Sequence, residues 1–323
     1  KFQVSNFNKQ LISFISLLFI YLFYLLIPTL YDKTWVQNVI ERKLLEESKL
    51  NFSISSEISY EILPSPHYTI KNAKILNNDI NNPKELSEIK ELKIFISQKK
   101  FFNKKKLKIN KVLIQDANFS IQKSDIKFFN DFLNKKFNKK KIIIKNSNIF
   151  YKDREKNTVT IVKIIKSSLY FDEIKLSNII NLKGKVFNTP FDVNLDKSIL
   201  SDLKNSQFNI NFKRLNLDIL NESFTNSEDG LYNIEGVNVL SVNNSKIITN
   251  YKSKDNLILF ESKGSRIKNT TIDYSGKLNL DPFHILLDLN INKMNLKNLI
   301  KSDSILFEFF KIKLLFNENI SSN

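Results

Sequence analysis

Between Gln10 and Tyr31 the chain carries no charged residue, and no other feature narrows so far what it can fold into. Leu, Ile, Phe and Tyr dominate Leu11–Leu30. Twenty helical residues at about 1.5 Å each reach about 30 Å, the thickness of a bilayer's hydrocarbon layer. Apart from Ser13 and Ser16 the stretch is apolar all round, so it has no polar face to offer water as a surface helix would. A cleaved leader needs a shorter apolar region and a small-residue cleavage site. Here the run passes into Tyr31-Asp32-Lys33-Thr34-Trp35, and the first alanine is Ala73. The span is therefore expected to persist as a transmembrane anchor, with Leu11, Phe14, Leu18, Ile20, Phe23, Leu26 and Leu30 among its lipid-facing residues. Tyr31 and Trp35 suit an interfacial aromatic belt, and Pro28 falls where a helix break costs little. Lys1 and Lys9 ahead of the span favour an inside N-terminus with the body translocated.

Beyond the span the period of the pattern changes. Lys33–Lys49 reads as a short amphipathic juxtamembrane helix, with Val36, Val39, Ile40, Leu44 and Leu45 on one side. From Leu50 to Ile62, apolar Leu50, Phe52, Ile54, Ile58, Tyr60 and Ile62 alternate with polar residues, which predicts a single strand of about 43 Å. Pro64 and Pro66 end it; Tyr68 and Ile70 restart the alternation, and its slip to Ala73 and Ile75 requires a bulge near Asn72. Period-two stretches recur at Leu92–Ile96, Leu107–Ile109, Val112–Ile114, Ala117–Ile121, Phe208–Phe212, Leu215–Ile219, Leu278–Leu280 and Ile285–Ile291. Helical periodicity is confined to Asp125–Phe137 and a second piece at Asn295–Phe310.

These readings predict a mainly β body with few helices, following the anchor as an elongated, twisted, groove-like antiparallel sheet. Long alternating strands have one apolar face that must be covered, and helices are too few to cover it. Either a second sheet closes the face as a sandwich, or the sheet curls around a trough for an apolar ligand. Strand length and the scarcity of turn glycines, with Asp229-Gly230 the one such pair, favour the trough without deciding it.

Composition removes several function classes. Without cysteine there is no disulfide framework or thiolate metal site, and the two histidines, His67 and His284, lie far apart. The first glycine is Gly184, so no glycine-rich phosphate cradle fits the N-terminal half. Acidic pairs such as Asp172/Glu173 and Glu228/Asp229 have no His or Cys companion and read as turn charges; neither an enzyme nor a cofactor is expected. The net charge of +17 is spread along the whole chain, with runs such as Lys104–Lys106 beside strand starts, so a nucleic-acid partner is not expected.

The order of segments resembles the AsmA family. The anchor and first alternating strand lead into Leu63-Pro64-Ser65-Pro66-His67-Tyr68-Thr69-Ile70-Lys71-Asn72-Ala73-Lys74-Ile75, similar to that family's strand, Pro-x-Pro turn and second strand. Lys108–Ile121 and Ile142–Asp153 look like later strands of the same region, with Ser147 where the family often has glycine. Gly276–Phe283 looks like the strand opening a further part. The resemblance divides the chain into an anchor (1–32), a juxtamembrane helix (33–49), an AsmA-like β-groove (50–200) and a continuing β-rich region (201–323), a piece of a longer bridge. It implies a single-pass bacterial inner-membrane protein with a periplasmic body, related to the TamB and YhdP proteins and to phospholipid traffic and outer-membrane biogenesis. Phospholipid acyl chains would be the partners, sliding along a lining that includes Phe52, Ile54, Ile58, Tyr60, Ile62, Ile94, Ile109 and Phe119. The alternative is a membrane-anchored scaffold that assists outer-membrane protein assembly by touching envelope proteins. For each lining candidate an ordinary core position is the competing reading.

Overall fold

The computed structural model describes residues 6–48, 50–77, 84–99, 101–103, 107–199, 204–226, 233–268, 270–280 and 282–291. The expected helix at 295–310, the Lys104–Lys106 run and the Glu228/Asp229 and Asp229-Gly230 pairs lie outside these residues. Among the described residues strands dominate, and the sixteen described strands belong to one sheet that does not close on itself. Two compact units divide at Thr160, inside the segment 50–200 expected to act as one groove.

The first unit begins with helix α1 (Asn6–Leu26), continued by a 3₁₀ turn at Ile27–Leu30 that contains Pro28. One helix, over Asn8–Leu30, is long and apolar enough to cross a membrane. Its residues face outward: Phe14 is 65 % exposed, Phe23 70 % and Leu30 84 %, which excludes a core helix. Helix α2 (Lys33–Ser48) starts where the Asp32 carboxylate accepts the Trp35 N–H at 2.8 Å, satisfying one of the donors a helix N-terminus leaves open. It buries Val36, Val39, Ile40 and Leu44 but leaves Leu45 exposed, a correction to the stripe expected from spacing.

The alternating stretch after α2 is two strands, not one. Strands β1 (Asn51–Ser53) and β2 (Ile58–Glu61) both pair with β3 (His67–Leu76). Between them, the Ile54 N–H donates to Glu41 Oε1 and the Ile54 carbonyl accepts from Gln37 Nε2, each at 2.8 Å. The α2 side chains thus take over backbone groups that a continuous strand would have paired with β3, which breaks the ladder. Strands β4 (Glu85–Ile96), β5 (Ile109–Gln122) and β6 (Ile142–Lys152) extend the sheet. The β5–β6 pair is parallel, where an antiparallel sheet was expected. Helix α3 (Ile126–Asn134), inside the predicted helical stretch, carries the crossover that parallel strands require.

The alternation slips near Asn72, and the slip extends across the sheet. Asn72, Asp116 and Asn146 all take positive φ (56, 52 and 49°). They lie in one row, since Lys71, Glu91, Gln115 and Lys145 are register partners in turn. Asn and Asp tolerate the left-handed conformation, and each such residue turns the following side chains to the other face.

The second unit is an antiparallel meander in chain order. Its strands are β7 (Thr158–Asp172, whose first residues precede the division), β8 (Ser177–Val186), β9 (Thr189–Ser198), β10 (Lys204–Phe212) and β11 (Leu217–Asn226), then β12 (Asn233–Val242), β13 (Ser245–Lys254), β14 (Leu257–Ile267), β15 (Thr270–Leu280) and β16 (Phe283–Ile291). The described β8–β9 link does without glycine: it is Phe187-Asn188, both at positive φ, the geometry of a two-residue hairpin loop that follows strand twist. Glycine serves a different purpose here. A Cβ on Gly236 would lie 2.5 Å from the Glu222 carbonyl and 2.7 Å from the Tyr251 ring, and one on Gly276 2.3 Å from the Leu286 carbonyl and 2.5 Å from the Phe260 ring. Each lets an aromatic ring of the adjacent strand lie across the backbone.

Tyrosines seat the first unit on the end of α1. Tyr60 Oη donates to the Leu25 carbonyl at 2.7 Å and Tyr68 Oη to the Pro28 carbonyl at 3.3 Å. Burial, with a smaller contribution from neighbouring Tyr31, pushes the Tyr60 phenol up to about 12, and Tyr68 is raised further by the same causes. A raised folded-state pKa stabilises the fold fully below the unfolded value near 10 and loses that contribution as pH climbs through about 12. Absorbance titration comparing the protein with its Tyr60→Phe and Tyr68→Phe variants should therefore show that each variant loses a late phenolate signal, at about 12 for Tyr60 and higher for Tyr68, with stability falling in that window. Loss of signal near the ordinary value of 10 instead would contradict the seat.

Candidate functional site

The eight residues expected to line a trough do not share one environment. Phe52, Ile54, Ile58, Ile94 and Ile109 are buried in the core of the first unit, together with Val36, Val39, Ile40 and Leu44 of α2. Tyr60, Ile62 and Phe119 are half-buried at the edge of that core. Register explains the grouping: Tyr68, Ile94, Val112 and Ile142 are successive partners across β3–β6, as are Ile70, Leu92, Ile114 and Ile144. One face of the sheet is therefore apolar, and α2 lies on it. A single helix was enough to cover what helices had been judged too few to cover.

The second unit carries a comparable face on which no other described element lies. Following the register from strand to strand, Leu182, Val193, Ile210, Ile219, Leu240 and Ile247 form an unbroken row across β8–β13. Five strand-to-strand steps of about 4.8 Å make that row about 24 Å long. Beside it run Phe191, Phe212, Leu217 and Val242 on one side and Ile180, Leu195 and Phe208 on the other, with the Phe191 and Phe212 rings 5.6 Å apart. A bilayer's hydrocarbon layer of about 30 Å holds two chains end to end, so a row of this length exceeds one acyl chain.

Three properties mark this face as a site. No described helix or second sheet packs on it: all six residues of the row are half-buried, and the main contacts of the described elements of this unit are with their strand neighbours and one 3₁₀ turn, Lys213–Leu215. Parts of it are also sheltered: Ser167, Ile164, Ser262, Ser265 and Ile272 on the same face are buried, at 1–6 % exposure. Finally, it is almost free of charge. Among the described side chains of β7–β16, register places one ion on it, Lys197 near the end of β9. The ion pairs Lys175–Asp196, Lys213–Asp192 and Lys252–Glu235 (3.0, 3.3 and 2.9 Å) all involve residues of the opposite face or the turns.

From β11 to β15 the same face changes character. Asn221 Nδ2 donates to Tyr251 Oη at 3.0 Å, the Thr249 and Tyr274 hydroxyls share a hydrogen bond at 2.5 Å, and so do those of Ser262 and Ser265. These neutral groups stand next to the apolar row. Sequence reading missed this half of the site, because Leu215–Ile219 was counted as one more half-buried strand and no signal in the alternation tells a covered face from an open one.

The remaining candidates have structural roles. His67 is 1 % exposed, donates from Nδ1 to the Ser65 carbonyl at 2.8 Å and stacks on Phe95. His284 is exposed on the polar side of β16. Asp172 caps the β7–β8 turn by accepting the Ile174 and Lys175 N–H groups at 2.9 and 3.1 Å. On the polar face, a cleft of about 580 Å³ mixes the charges of Glu235, Lys252, Glu261, Lys277 and Asp288, and its lining holds no histidine to activate the Ser275 hydroxyl. Among the described residues no three acidic or imidazole groups converge for a metal. No family model matches the chain, and no curated protein matches it.

Proposed function

We propose that this protein is a membrane-anchored lipid carrier of AsmA-like type, held in a bacterial inner membrane by α1 and binding phospholipid acyl chains on the open face of its second unit in the periplasm. The observation that carries this reading is the half-buried, nearly uncharged apolar row from Leu182 to Ile247, on which no described element lies. Such a surface is costly to leave in water and cheap to cover with hydrocarbon. Releasing a chain of about sixteen carbons into water costs on the order of 13 kcal/mol at about 0.8 kcal/mol per methylene. A lining that replaces the bilayer removes most of that barrier without chemistry, so lipid can move between inner and outer membranes along it. The neutral hydroxyl and amide groups of β11–β15 give a lipid's polar part hydrogen-bonding partners beside the apolar row.

Placing a photoreactive amino acid at Ile219 in the full-length, membrane-borne protein tests the reading. Mass spectrometry should find lipid adducts at Ile219 and none at Val239, which register places on the opposite face. Protein adducts at Ile219 in place of lipid would turn the conclusion toward the scaffold function.

A further inference from the structure

The seat of the first unit on α1 bears on where the membrane surface lies. Tyr21 Oη donates to Gln98 Oε1 at 3.2 Å, and Tyr24 Oη donates to the Gln98 carbonyl. Tyr31 Oη donates to the Phe101 carbonyl, and the Tyr24 ring lies 5.4 Å from both the Phe101 and Phe102 rings. The β4–β5 loop therefore runs alongside α1 well before the apolar span ends at Leu30. The part of the span free of the body reaches only from Gln10 to Tyr21, about 17 Å at about 1.5 Å per residue. That charge-free stretch alone does not span the roughly 30 Å of a hydrocarbon layer, and tilt shortens its reach further. Phe102 is 81 % exposed on this loop, whereas its neighbour Phe101 is buried.

We infer that Phe102, held beside α1 by its neighbour Phe101 and by Gln98, inserts among the lipids as a second point of attachment. The inference rests on the reading of α1 as a membrane anchor. Its partner is the lipid of the same membrane: the helix that holds the loop is itself apolar on every exposed side, and the deficit in length has to be made up by material next to Tyr21 and Tyr24. Phenol and aromatic groups at this level, the Tyr24, Tyr31 and Phe101 set, match the amphipathic belt of a membrane interface. The first unit then has no flexible stalk, and the end of its sheet where β4 gives way to β5 meets the lipid surface directly.

Because the chain has no cysteine, single thiols report cleanly. The full-length protein carrying Phe102→Cys, labelled with a bimane fluorophore, is reconstituted in phosphatidylethanolamine–phosphatidylglycerol vesicles with and without brominated acyl chains. Phe14→Cys on α1 and Ile174→Cys, 96 % exposed in a turn of the second unit, are the references. Labels at 102 and 14 should each lose more than half their fluorescence to the brominated lipid, while the label at 174 is unchanged. Quenching at 14 but not at 102 overturns the insertion and leaves the anchor standing. Quenching at neither removes the anchor and the insertion together. Equal quenching at 102 and 174 reports indiscriminate contact of the body with lipid and also overturns the inference.

Discussion

Replacing Ile219 and Leu240 together by aspartate should abolish cross-linking of a photoactivatable phospholipid to the protein while leaving it folded. The two residues are direct register partners in the middle of the apolar row, and both are half-buried with an open side. A carboxylate there keeps its water in the empty protein, so the cost to folding stays near that of a surface change, within about 0.5 kcal/mol per site. An acyl chain laid over the row would have to strip that water from two ions, and an unpaired buried charge costs several kcal/mol. At about 1.4 kcal/mol per tenfold, occupancy should drop by at least two orders of magnitude. Val239→Asp, on the opposite face of β12, should capture lipid as the parent does. Undiminished cross-linking of a folded double variant would remove the acyl-chain reading.

The same substitution one unit away should have the opposite consequence. Ile94→Asp places a carboxylate at a position that is 0 % exposed, between Tyr68 and Val112. No cationic side chain belongs to the core cluster around it, so the charge is neither hydrated nor paired. The penalty of several kcal/mol is a large share of the 5–15 kcal/mol that holds a typical domain. The first unit should lose protease resistance and its cooperative denaturant transition. If Ile94→Asp instead stayed folded and lost only lipid capture, the α2-covered face would be a binding surface after all. The paired outcomes separate a core from a trough, which burial along a single strand does not.

Much of this was legible in the chain. The charge-free run from Gln10 to Tyr31 became an exposed apolar helix because no polar face was available to it in any orientation. Val36, Val39, Ile40 and Leu44 turned inward at helical spacing, and the slip between Ile70 and Ala73 marked a left-handed residue at Asn72. Other features were not legible. Gln37 and Glu41 interrupt the expected strand at Ile54 from a different element, and a parallel β5–β6 pair looks like any other alternating segment. Turn glycines were a poor guide, since Phe187, Asn188 and Asn216 adopt positive φ in their place.

Period-two alternation determined by itself that each strand has an apolar side, because successive side chains point to opposite faces of a pleated sheet whatever surrounds it. Whether that side is a core or a site depends on what lies above it, and alternation holds no information about a second layer. Helix α2 landed on the face that contains Ile94 and Ile109, and among the described residues no element landed on the face that contains Ile219 and Leu240. Only the tertiary structure decided that difference, since covering a face takes a partner from elsewhere in the chain.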